Sequence, residues 1–169
     1  AYLYVVDHCD APYTAARCFT WASSRVHDQR NVWIFATGDA QPEQRPLAIL
    51  LDGQFWAEGM PVWSALQAQT DAGVLPPAVY VLIDVIDNAT RSDELPCNAQ
   101  FWLAVQEELL PHLRTVTCWN ENPETTVVAG QSFGGLSSLY AALHWPEQFG
   151  CVLSQSGSYW WPRRENNQQ

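Results

Sequence analysis

Lysine is absent from this sequence. All eight of its fixed cations are arginines, set against eighteen aspartates and glutamates, and the formal net charge is −10. A field of that sign repels phosphate, so nucleic acid and anionic membrane surfaces are excluded as natural partners. An anionic ligand would need a few local arginines to overcome it. Cysteine is scarce: Cys9, Cys18, Cys97, Cys118 and Cys151 are odd in number and irregularly spaced. They make neither a disulfide framework nor a zinc knuckle, and idle thiols in a reducing compartment are expected. No apolar run is long enough to cross a bilayer, no signal-peptide pattern opens the sequence, and a cytoplasmic protein is expected. Internal repeats and low-complexity stretches are also lacking.

What is present suits a folded enzyme-sized unit. Hydrophobic residues make up 47% of 169 positions, enough for the core of one domain or most of one. Nine tryptophans are many for this length, and they either line a site for a flat or bulky ligand or pack the core and its rim.

The chain is organised around Val127-Val128-Ala129-Gly130-Gln131-Ser132-Phe133-Gly134-Gly135. A β-branched run climbs into Gly-x-Ser-x-Gly, and a small-residue helical stretch follows. This is the form of a nucleophile elbow, in which a strained corner lifts a serine hydroxyl above the sheet. Gly130 and Gly134 are expected to be glycines because a Cβ at either would collide with a neighbouring element.

Around the elbow, strands and helices alternate. Residues 1–18 lack a clean period and read as a linker. Phe19 to Val26 and Val32 to Thr37 predict an antiparallel hairpin about the polar turn His27 to Asn31. Leu47 to Leu51, Val79 to Ile83, Thr125 to Ala129 and Cys151 to Ser154 are continuous apolar runs, the mark of strands covered on both faces. Pro61 to Thr70 and Asn98 to Leu113 predict helices, the first with proline in its first turn, and Asp84 to Pro96 predicts a long polar loop. The expected fold is α/β: an α/β-hydrolase-like, doubly wound, mostly parallel sheet with an N-terminal antiparallel hairpin.

A serine hydroxyl is a poor nucleophile until a base, usually a histidine held by a carboxylate, takes its proton. Oxyanion donors are expected from the Phe133 N–H and from the loop after an earlier strand, through Gly53 or Gln54. The base is harder to find. In α/β-hydrolases the order is serine, acid, histidine, yet no aspartate and only His144 follow Ser132. A helix from Phe133 to Trp145 would put His144 roughly 18 Å along the axis from the serine, too far to take its proton. His8, His27 and His112 read as linker, turn and helix-end residues. Glu147 and Glu165, the downstream carboxylates, are weak candidates for the acid. The nucleophile and oxyanion hole are therefore expected here, and the triad histidine and acid are not.

From about Val32 to Pro162 the chain resembles the enterochelin (enterobactin) esterases, hydrolases of ferric siderophores. The resemblance rests on Leu-Leu-Asp-Gly-Gln-Phe-Trp at 50–56, Leu-Pro-Pro-Ala-Val-Tyr-Val-Leu-Ile-Asp at 75–84 and Glu-Leu-Pro-Cys-Asn at 94–98. Longer still are Val-Val-Ala-Gly-Gln-Ser-Phe-Gly-Gly-Leu-Ser at 127–137 and the run from His144 to Pro162.

The resemblance implies cleavage of the trilactone of a ferric catecholate siderophore, with Ser132 as nucleophile and Arg91 beside the substrate, and with no cofactor or resident metal. It also implies that residues 1–18 link to an N-terminal domain, that 19–169 form part of the catalytic domain, and that the triad histidine and acid lie past residue 169. A ferric tris-catecholate carries three negative charges, which agrees with the need for local cations. Arg91 and Arg163 are expected at the pocket mouth, with Tyr159, Trp160 and Trp161 stacking on catechol rings. Two other readings stand beside this one: a related esterase of another acyl ester, such as a feruloyl or thioester substrate, and a non-catalytic siderophore-binding fragment.

Overall fold

The computed structural model describes residues 3–5 and 16–162. One seven-stranded sheet runs through it. Its strands are β1 (Leu3–Val5), β2 (Arg17–Ala22), β3 (Gln29–Ala36), β4 (Leu47–Leu50), β5 (Val79–Ile83), β6 (Val127–Gln131) and β7 (Cys151–Gln155), in the spatial order β1-β2-β3-β5-β4-β6-β7. Strands β5, β4, β6 and β7 are mutually parallel. On the other side, β1, β2 and β3 form an antiparallel ribbon that joins antiparallel to β5. The predicted hairpin is β2–β3. Strand β1 extends it from within the stretch that reads as a linker.

The continuous apolar runs have the expected physical cause. Every residue of β5 is buried. Val79, Val81 and Ile83 face one core, while Tyr80 and Leu82 face the other. Each such side chain contributes about 1.5–3 kcal/mol by leaving water. The first core is closed by α3 (Ala99–Ala104), a π-helical turn at Val105–Leu109, α4 (Leu110–Leu113) and α5 (Phe133–His144). Phe101, Trp102, Leu109, Leu113 and Ala141 lie in it. The second core is closed by α1 (Trp63–Asp71) and the π-turn Phe55–Gly59 before it, through Trp56, Trp63 and Leu66. Helices on both faces make the sheet doubly wound.

Three expectations change and one open alternative narrows. Pro61 stands outside α1, which begins at Trp63. The polar segment 84–96 is not all loop: α2 (Asn88–Glu94) forms inside it, capped where the Thr90 N–H donates to Asp87 Oδ1 (2.7 Å). Among the described residues strand β7 lies at the edge of the sheet, with Leu153 54% exposed. Four of the nine tryptophans, Trp21, Trp33, Trp102 and Trp119, are buried in the core, and the Trp102 indole donates to Ser137 Oγ (2.9 Å).

Strand order places the site. The chain leaves β4 toward β5 on one side and leaves β6 toward β7 on the other. The carboxyl ends of β4 and β6 therefore flank a topological switch point, where connections diverge and leave a crevice. Residues 52–54 follow β4 there, and Ser132 follows β6.

Candidate active site

Ser132 has φ +56° and ψ −117° between β6 and α5, a backbone region that a β-carbon disfavours. Strain of that kind costs about 1–3 kcal/mol and persists only where neighbours over-determine it. They do so here. The Ser132 N–H donates to the Gln155 carbonyl (3.0 Å), and its own carbonyl accepts from Leu136 N–H (3.1 Å) and Ser158 N–H (3.0 Å). Ser132 is exposed, whereas Gly134 to Ser138 behind it are buried.

The glycines divide differently from expectation. A Cβ on Gly130 would lie 2.3 Å from the Gly134 carbonyl carbon, so the corner closes only with glycine there. At Gly134 the nearest atom would be Asp52 Oδ2 at 3.4 Å, which is ordinary contact. The second steric requirement belongs to Gly135, whose Cβ would meet Ser154 Oγ at 2.6 Å. Gly134 contributes its backbone, against which Gly130 packs, and not a missing side chain.

The loop after β4 lies alongside. Leu51 N–H donates to the Ala129 carbonyl (2.9 Å), extending the β4–β6 pairing up to the turn. Asp52 takes φ +54°, and Gly53 is wedged so tightly that a Cβ would be 2.5 Å from Ile83 N. Among the described residues the N–H groups of Gly53, Gln54 and Phe133 have no hydrogen-bond partner. They are the first amides of helical turns, which lack acceptors within the helix. The Gln54 side chain accepts from Val85 N–H (3.3 Å) and ties this loop to the end of β5.

Arg91 comes to the crevice from α2, with its guanidinium clamped. Nε donates to Asp52 Oδ1 (2.7 Å), while Nη2 donates to Asp52 Oδ2 (3.0 Å) and to the Gln131 carbonyl (3.1 Å). The group also lies over the Phe133 ring at 5.7 Å. One planar fork thus ties α2, the loop after β4 and the last residue before the serine. Nη1 has no partner among the described residues.

The far end of α2 is anchored in the core. Arg30, its side chain wholly buried, donates to Glu94 Oε1 (2.8 Å), Asp28 Oδ1 (2.6 Å) and the Asp84 carbonyl (3.2 Å), between the rings of Trp21 and Phe101. Burial, then the neighbouring Asp28, pushes the Glu94 carboxyl up to about 8, against the pull of Arg30.

The remaining expected residues are scattered. Trp160 reaches the elbow, its ring 5.8 Å from that of Phe133. Tyr159 turns back so that its hydroxyl donates to Ser154 Oγ (2.6 Å), and Trp161 is exposed. Arg163 and Glu165 lie outside the described residues, as does His8. His144 ends α5 at the pole opposite Ser132, its Nδ1 3.0 Å from the Tyr140 carbonyl. His27 occupies the hairpin turn and His112 lies in α4. The described residues therefore bring no imidazole to the serine.

Two contacts escape the sequence reading. Asp52 appears there only as part of a turn, although it fixes Arg91. Ser158 does not appear as a site residue, although its Oγ lies 2.9 Å from Ser132 Oγ. The available signal was its place just past β7, since loops at the carboxyl ends of adjacent parallel strands gather together.

Comparison with known proteins agrees with this geometry. The family model described as "Putative esterase" matches residues 23–169. The iron(III) enterobactin esterase of Escherichia coli O6:H1 is 63% identical over 163 residues, covering 96% of this chain and 41% of that protein. The crystal structure of the Shigella flexneri enterobactin esterase in the presence of enterobactin is 62% identical, with a TM-score of 0.88, covering 91% of this chain and 40% of that one. A Bacillus cereus protein at 16% identity and TM-score 0.76 shares the fold. The chain spans about two fifths of the length of the curated Escherichia coli enterobactin esterases it matches. With the family matched from residue 23 to residue 169 and the elbow set at the switch point of its sheet, the chain belongs to this esterase family.

Proposed function

We propose that this chain carries the nucleophile half of a cytoplasmic serine esterase that opens the trilactone of ferric enterobactin-type catecholate siderophores. The carrying observation is Ser132, exposed on a strained corner, with the free N–H of Phe133 on one side and those of Gly53 and Gln54 across the switch point. Ser132 Oγ adds to an ester carbonyl carbon, and its proton passes to an imidazole contributed by the part of the relatives' length that this chain does not span. The carbonyl electrons move onto oxygen, where Phe133 N–H and one amide of the β4 loop stabilise them. Collapse expels the seryl alkoxide of the lactone, which takes the proton from the imidazolium. Water then releases the acyl group from Ser132. Each ester opened loosens the tris-catecholate's grip on iron.

Arg91 places a cation beside the acyl position without placing a free charge there. Asp52 neutralises most of its charge, while Nη1 remains for a catecholate or carbonyl oxygen. Trp160 offers a ring face next to Phe133 for catechol stacking.

The test is hydrolysis of ferric enterobactin by a chain of the relatives' full length, followed by chromatography of the linear products. Ser132→Ala should lower turnover about a thousandfold or more with the fold intact. Unchanged turnover, or strong preference for neutral esters over the ferric siderophore, would overturn the proposal.

A further inference from the structure

A second hydroxyl sits against the proposed nucleophile. Ser158 is 2% exposed, and its Oγ lies 2.9 Å from the Oγ of Ser132. The two serines are also joined through backbone: Ser158 N–H donates to the Ser132 carbonyl (3.0 Å), and Ser132 N–H donates to the Gln155 carbonyl (3.0 Å). The segment 155–158 thus straps the corner residue at both of its peptide groups.

The strap has its own supports. Ser154 Oγ accepts from the Tyr159 hydroxyl (2.6 Å), and Trp161 N–H donates to the Ser158 carbonyl (3.1 Å). Gly157 fits because a Cβ there would meet the Tyr159 ring at 2.5 Å and Ser154 Oγ at 2.7 Å. The position of Ser158 Oγ is therefore set by backbone and packing independent of the hydroxyl it faces.

Hydrogen-bond bookkeeping then gives the direction. A hydroxyl has one donor and two acceptor sites. Among the described residues the partner of Ser158 Oγ is Ser132 Oγ alone. A buried O–H left without an acceptor costs the full desolvation of that donor, so Ser158 donates and Ser132 accepts. Ser132 keeps its own proton for a base on its exposed side. As that proton leaves, negative charge grows on Ser132 Oγ and the bond from Ser158 strengthens, as bonds to charged oxygens do. The interaction is worth more in the transition state than in the ground state, and it acts on kcat rather than on KM.

We propose that Ser158 is a positioning residue for the Ser132 nucleophile: its hydroxyl donates to Ser132 Oγ, fixes its rotamer and supports the charge that develops on it. This rests on Ser132 being the nucleophile.

The experiment compares Ser132→Ala, Ser158→Ala and Ser158→Thr in a chain of the relatives' full length. Readouts are kcat and KM on ferric enterobactin and the rate of labelling by a fluorophosphonate probe. Ser158→Ala should lower kcat and labelling rate about tenfold, the order of one hydrogen bond, with KM unchanged within twofold. Ser158→Thr, which keeps the hydroxyl, should restore most of both. A merely structural role would lower the melting temperature and leave kcat per folded molecule intact. Wild-type kcat and labelling in Ser158→Ala, with Ser132→Ala inactive, would overturn this inference and leave the esterase reading standing. An active Ser132→Ala would overturn that reading itself. Should Ser158→Ala not fold, Ser158→Cys keeps the volume with a weaker donor. It should show a partial loss of kcat, and a wild-type rate in it would equally overturn the proposal.

Discussion

Helix α2 is held at two places by ion pairs, and the two obey different physics. Arg91 and Asp52 keep side-chain exposures of 20% and 15% at the rim of the crevice. Arg30 and Glu94 keep 0% and 6% in the core. At the rim, water and a second acceptor, the Gln131 carbonyl, share the guanidinium, so the fork sets geometry: it decides where the turn after β4 stands relative to the serine corner. In the core, desolvation dominates, and one arginine faces two carboxylates, Asp28 and Glu94. Burial, and then the neighbouring Asp28, raise the carboxyl of Glu94, the more buried of the two. The same short helix thus carries a device for orientation at its middle, Arg91, and a device for anchoring at its last residue, Glu94.

The comparison breaks most severely at the buried end. Arg30→Ala removes the guanidinium from between Trp21 and Phe101 and strands Glu94, and it should cost about 3 kcal/mol in chemical denaturation. A loss under 1 kcal/mol would mean that the core pair anchors nothing. At the rim, Asp52→Ala and Arg91→Ala should each cost about 1–2 kcal/mol. On the proposed activity, measured in a chain of the relatives' full length, their larger effect should be a roughly tenfold fall in kcat, because the β4 loop loses its register against Ser132. The double variant should be little worse than either single one. Additive losses in kcat would show that the two residues act separately, Arg91 on the substrate and Asp52 on its own turn.

Much of this architecture could be read from residues alone, and for stated reasons. Strands β4, β5 and β6 are apolar on both faces, and a run such as Val79 to Ile83 has few other uses. The helix predicted from Asn98 to Leu113 appears at 99–113, with its stripe Phe101, Trp102, Val105 and Leu109 buried. Helix α2 was hidden because Asn88 to Glu94 has no apolar stripe; its cap and its two ion pairs hold it, and only the cap is local. The Arg91–Asp52 pair spans 39 positions and Ser132–Ser158 spans 26, so neither is visible to spacing arguments. Gly134 misled for a related reason. A glycine in a motif is read as a missing side chain, whereas here it is a close-packed peptide that forces Gly130 to be bare.

The finest test of the comparison is titration, because Glu94 of the core pair carries a displaced carboxyl. Glu94 has its folded value raised from 4.5 to about 8. The folded state therefore holds a proton that the unfolded chain has released across that window, and stability falls as pH rises through it. The contribution is fully present below about 4.5 and gone above about 8. Glu108, held low by bonds from Ser23, Ser24 and Arg25, works in the opposite sense, losing stability as pH falls through its own lowered value. Glu94→Gln copies the protonated form at every pH. Melting temperatures of the two proteins should coincide near pH 4 and separate by several degrees at pH 9, with the variant higher. Curves that stay parallel from pH 5 to pH 9 would place Glu94 in the ordinary carboxylate range. The core pair would then be a plain salt bridge of the same kind as the one at the rim.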